Sequence, residues 1–144
     1  MDAVTSLFVR KVVAAAGDGV DAAALLRSAG LDPNARADPK AMISATVYYE
    51  LIERIAGETD ATQLPLRTGA SMRCDDYGAL GLAFKAAPTL FGSYSRVARY
   101  ARIWTSVVAY ALEPDGSNTW FVLHRSGTRR LGLRMSNEAT LASA

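Results

Sequence analysis

The chain has 144 residues, half of them hydrophobic, and 16 Lys and Arg against 14 Asp and Glu give a net charge of +2. That length suits one domain with a real core, and that charge is too small to imply a nucleic-acid surface by itself. The single cysteine, Cys74, excludes an internal disulfide and fits a reducing cytosol. No apolar run approaches a membrane span, and Arg10 and Lys11 inside the first apolar pattern argue against a secretory signal.

Val4, Leu7, Phe8, Lys11, Val12 and Ala15 form a helical pattern with an apolar stripe, broken by Gly17-Asp18-Gly19. Asp21 is placed to cap a short helix over Ala22–Ala29. Gly30 then closes it in the left-handed conformation, with Leu31 folding back. Leu31-Asp32-Pro33 and Asp38-Pro39 mark a turn-rich connector. Ser44 is expected to cap a third helix that runs to about Ala56. It carries Val47, Leu51 and Ile55 on one face and ends at Gly57. Pro65 suits the first turn of a fourth helix reaching about Met72.

The segment from Arg73 to Phe84 sits at the middle of the chain. Asp75 or Asp76 is expected to cap a helix there, and Gly78 and Gly81, three apart, should let another element approach closely. That helix stops before Pro88, and Thr89 caps a longer one ending near Trp104. Its apolar stripe is Leu90, Tyr94, Val97, Ala101 and Trp104. Its other side carries Arg96, Arg99 and Arg102, which reads as a solvated face, with phosphate contact the alternative.

After Thr105 the period becomes alternating. Val108, Tyr110 and Leu112 face one way, and Val107, Ala109 and Ala111 the other. The Pro114-Asp115-Gly116 turn leads into Trp120, Val122 and His124 alternating with Phe121 and Leu123, so a hairpin is expected. Leu131, Leu133 and Met135 alternate with Arg130 and Arg134 and suggest a third strand. Ser136 then looks like the N-cap of a short last helix. So small a sheet and so short a last helix leave two readings open: a piece of a longer domain, or a natural end with a frayed tail. The expected class is α+β, with N-terminal helices packed against a small antiparallel sheet.

Catalytic signatures are thin. Neither Gly17-Asp18-Gly19 nor Gly78-Ala79-Leu80-Gly81 has the spacing and lysine of a phosphate loop, and there is no nucleophile elbow. One histidine and one cysteine are too few for a usual zinc site. His124 reads first as a structural histidine, Asp75 and Asp76 as caps, and Cys74 beside Arg73 as an unsupported nucleophile. No metal or cofactor is therefore expected.

Three groups of residues carry a family resemblance. The first is Leu25-Leu26-Arg27-Ser28-Ala29-Gly30-Leu31-Asp32-Pro33 with Asp38-Pro39 and Ile43-Ser44. The second is Asp76-Tyr77-Gly78-Ala79-Leu80-Gly81 with Ala87-Pro88-Thr89-Leu90 and Tyr94. The third is Arg99-Tyr100 with Ser136-Asn137-Glu138-Ala139. In order and spacing they resemble the N-terminal, arabinose-binding-like regulatory domain of AraC-type transcription regulators across nearly the whole chain. The resemblance implies a bacterial, cytoplasmic regulator whose N-terminal domain, here residues 1–144, senses a small-molecule effector and pairs as a homodimer. DNA would be bound only by a separate C-terminal domain with two helix-turn-helix units, and this sequence stops before any such pair.

The resemblance carries no ligand signature. Pocket candidates are chosen by chemistry, as apolar and aromatic walls with a few polar groups: Tyr77, Phe84, Tyr100, Trp104, Tyr110, Trp120 and His124. The plain alternative for each is a core aromatic. Two other functional readings stay open, a small enzyme using His124 with Asp75 or Asp76, and a protein-interaction module without ligand.

Overall fold

Thr5 decides how the chain starts. Its backbone is extended, and its hydroxyl accepts a hydrogen bond from the Leu7 N–H, capping a helix that begins at Ser6. The apolar pattern expected as one helix is thus divided in the computed structural model, which describes residues 1–144. Ala3–Thr5 is a strand, β1, and Ser6–Ala16 is α1. The reason is a distant partner, since β1 pairs antiparallel with β2 (Met42–Ser44), Val4 opposite Ile43. On its other side the Thr5 N–H donates to the Trp104 carbonyl at 2.6 Å, and the Ser106 N–H donates to the Ala3 carbonyl at 2.9 Å.

Local signals account for most of the helices. Asp21 caps α2 (Ala22–Ser28) by accepting from the Ala24 N–H at 3.0 Å, and Gly30 closes it at φ 78° with the Leu31 N–H donating back to Leu26. Helix α3 (Ala45–Glu58) follows β2 directly, so Ser44 belongs to the strand and its side chain makes no cap. It passes through Gly57 and ends at Thr59, whose hydroxyl donates to the Ile55 carbonyl. Pro65 lies in the first turn of α4 (Leu64–Ala70).

In the central segment Asp76 caps a 3₁₀ turn over Cys74–Tyr77, accepting from the Arg73 N–H at 3.1 Å. Helix α5 (Gly78–Lys85) follows, and then α6 (Leu90–Tyr100), with Thr89 as its cap. A second 3₁₀ turn over Ala101–Ile103 replaces the last turn expected of α6. Arg96 is not part of a solvated stripe. Its guanidinium donates to the Ala83 carbonyl and ties α6 to α5, while Arg99 lies over the Tyr100 ring at 5.4 Å.

The hairpin forms as β3 (Val108–Asp115) and β4 (Asn118–Arg125), with Tyr110 opposite Leu123 and Leu112 opposite Phe121. The third strand does not form. Leu131–Ser143 is a helix, α7, and Ser136 lies inside it rather than before it. Its buried residues, Gly132, Met135, Ser136 and Ala139, recur at helical spacing, which outweighs the short alternation at 131, 133 and 135. No residue of its own caps its start. Glu53 of α3 does so from outside, accepting from the Gly132 N–H at 3.0 Å while it holds Arg130 at 2.8 and 2.6 Å.

Seven helices and two separate two-stranded antiparallel sheets make an α+β fold. Its main core of 17 residues joins α1, α2, α3, Leu64, Val107, Val108 and Met135. A second, smaller core of Leu80, Val97, Ala101 and Trp104 sits under α5 and α6. No helix is long and apolar enough to cross a membrane.

Candidate functional site

The two cores do not merge. Between them lies a cavity of about 140 Å³, walled by α1, α3, the 73–77 turn, α5, α6, the hairpin and α7. The turn is pinned in place from α1. Lys11 pairs with Asp76 at 2.7 Å and donates to the Ser71 carbonyl at 3.0 Å. This brings Cys74 and Tyr77 to the cavity wall.

Eight aromatic rings stand in that wall. Tyr77 lies 4.4 Å from Trp104 and 6.4 Å from Phe8, which is 6.3 Å from Tyr48. Across the cavity, Tyr94 stands edge-on to Phe84 at 5.3 Å and 4.6 Å from Phe121, which stacks on Tyr110 at 5.2 Å. These separations are those of favourable aromatic pairs, so the walls support one another without filling the space. Helix α7 adds small residues, Ser136, Ala139 and Thr140. Arg73, Ser143 and Ala144 are exposed and mark the mouth.

The polar groups of the cavity are chiefly hydroxyls, which both donate and accept. Burial pushes the phenols of Tyr48, Tyr77, Tyr94 and Tyr110 above the usual tyrosine range, so each is neutral at pH 7. Ser136 is the polar neighbour of the Tyr48 hydroxyl, and Thr140 that of Tyr110. Tyr77 makes no hydrogen bond to the protein through its hydroxyl, and the buried Trp104 Nε1–H is also without a partner. No Asp, Glu, Asn, Gln or His lines the space. Nowhere do three or more metal-ligating side chains converge.

Concave, mostly apolar spaces with a few polar groups are the usual form of small-molecule sites. The family model described as the arabinose-binding domain of AraC transcription regulators, N-terminal, matches residues 19–144. The chain belongs to this family. No curated protein matches the chain. The AraC-type domain is a ligand-sensing regulatory domain.

Of the seven aromatic candidates read from the sequence, Tyr77, Phe84, Trp104 and Tyr110 line the cavity of this AraC-type domain, and the other three stand outside it. Tyr100 is 48% exposed at the end of α6. Trp120 and His124 lie on the opposite face of the hairpin from Tyr110 and Phe121, because alternate strand residues point to opposite sides. Trp120 is 61% exposed, with its indole N–H donating to Asp115, and His124 faces Glu113 at 3.8 Å. His124 and the two aspartates are not assembled into an acid–base group, since Asp75 pairs with Lys85 and Asp76 with Lys11. Phe8, Tyr48, Tyr94 and Phe121 complete the aromatic wall; none was among the pocket candidates, although Tyr94 belongs to the second group of the family resemblance. Their one local signal is bulk, aromatic rings in otherwise aliphatic or polar stretches.

Proposed function

We propose that this chain is the effector-sensing half of an AraC-type transcription regulator, with the cavity as its effector site. Tyr77, Phe84, Trp104 and Tyr110 contact the effector there. The observation that carries the reading is the place of the cavity: its walls come from both cores and from α7, so occupancy bears on all three at once. In this reading the domain works in the cytoplasm and pairs as a homodimer. It controls DNA through a separate helix-turn-helix domain and does not bind an operator itself. Apolar side chains exposed on α6 and α7, Leu90, Phe91 and Leu141, offer surface for pairing. Sedimentation over a wide concentration range checks the pairing, and a strict monomer in the intact regulator would exclude it.

Cys74 gives a direct test of the site, because it is the only thiol and lines the cavity. A library of small metabolites is screened for compounds that raise the melting temperature and slow alkylation of Cys74 by N-ethylmaleimide. At least one compound is expected to do both. If every stabilising compound leaves the alkylation rate unchanged, effectors do not occupy this cavity.

A further inference from the structure

On the reading that the cavity is the effector site, we infer that its effector is a compact, mostly apolar molecule the size of one aromatic ring, carrying a hydrogen-bond-accepting oxygen. A sugar does not suit it. Volume comes first: a dry apolar cavity of about 150 Å³ accepts benzene, and this one is about 140 Å³. The lining comes next, since 13 of the 18 lining residues are hydrophobic and none is a carboxylate or carboxamide. A polyol brings several hydroxyl donors into the site. Each one buried without an acceptor costs free energy, and no carboxylate or carboxamide side chain lines the space to accept them.

One donor stands free. Tyr77 is protonated at neutral pH, as an unshifted phenol already is and burial only reinforces, and its hydroxyl bonds to nothing in the protein. Beside it, 4.4 Å between ring centroids, Trp104 holds an unpartnered indole N–H sealed from water. An acceptor on the ligand satisfies Tyr77 without movement of the wall, and the rings of Phe8, Tyr94 and Phe121 take the ligand's apolar body. Arg73 is the only charged lining residue and lies at the mouth, so the inner cavity favours an uncharged acceptor such as a carbonyl.

Three probes separate the possibilities: acetophenone, which has a ring and a carbonyl; α-methylstyrene, which has the same shape without the acceptor; and L-arabinose. Affinity is measured by calorimetry on the whole chain, and occupancy by protection of Cys74 from N-ethylmaleimide. Acetophenone should bind about three- to tenfold more tightly than α-methylstyrene, the worth of one hydrogen bond. In Tyr77→Phe that preference should vanish while α-methylstyrene binding holds. Equal affinity of the two aromatic probes for the unaltered protein, or no binding of either, would overturn the inferred class. Protection of Cys74 by arabinose alone would overturn the class and leave the site standing. Aromatic probes that bind yet leave Cys74 unprotected would overturn the site itself.

Discussion

Gly78 and Gly81 lie three residues apart on α5, yet they answer to different constraints. The spacing suggests that both sit at one close contact. Only Gly81 does: a Cβ there would come 1.8 Å from the Cys74 carbonyl oxygen, which is backbone and cannot swing aside. At Gly78 a Cβ would meet only the Pro39 ring at an ordinary 3.5 Å, but φ is +64°, where side chains other than glycine are strained. Gly78→Ala should therefore cost about 1–3 kcal/mol, because φ +64° with ψ −140° is a region open essentially to glycine alone. Gly81→Ala should cost more, at or above the roughly 1–3 kcal/mol typical of overpacking. Urea denaturation of the two variants gives the ranking, and a Gly81→Ala protein as stable as the parent would show that the 73–77 turn is not seated on α5. The positions of both glycines were plain in the sequence. Which constraint acts at each was not, because one depends on a turn seven residues away and the other on a backbone angle.

The helices differ in the same way in how readily they can be read. In α3, Val47, Leu51 and Ile55 repeat every four residues, and the element is evident from local pattern alone. In α7 the buried stripe is mostly small, Gly132, Ser136 and Ala139 beside Met135, so its helical period is faint, and its cap comes from another helix. That cap makes a pH-dependent prediction. Hydrogen bonds from Arg130, and next from Gly132, hold the Glu53 carboxyl below the usual glutamate range. A carboxyl whose pKa is depressed on folding adds stability above its unfolded pKa and loses it as pH falls through the folded value. Glu53→Gln should thus lower the melting temperature by a few degrees at pH 7. The gap between variant and parent should narrow as pH falls below the ordinary glutamate pKa of about 4.3 and close once it passes the lower value of the folded carboxyl. A gap that stays constant from pH 7 to pH 3 would mean that ionisation of Glu53 contributes nothing to the seating of α7.

Across the whole molecule, the cavity divides a large core from a small one, and stability should follow that division. Helix α3 buries six residues, whereas α5 and α6 bury two each. Local opening tracks the density of buried apolar contact. Amide exchange should therefore be fastest in α5 and α6 and slowest in α1 and α3, and a cavity ligand should slow α5 and α6 most. Uniform exchange across all four helices would contradict two separable units. The aromatic composition of the site was half legible, since Tyr77 and Phe84 fall in the central segment, Trp104 at the end expected of the helix after it and Tyr110 in β3, where the sequence drew attention. The rest come from Phe8, Tyr48, Tyr94 and Phe121, which chain order keeps apart and only folding assembles. The seat of α7 bears on how such a domain would signal. Near its start, Gly132 lies so close to the Tyr49 backbone that a Cβ would be 2.4 Å from the carbonyl; near its end, Gly69 of α4 meets Ala142 and Ala139 as tightly. The helix is a beam resting on two bearings, with Ser136 and Thr140 facing the cavity along its span. Close backbone contacts leave few rotamers to yield, so on the proposed reading a ligand pressing on the span would bear on α3 and α4 together.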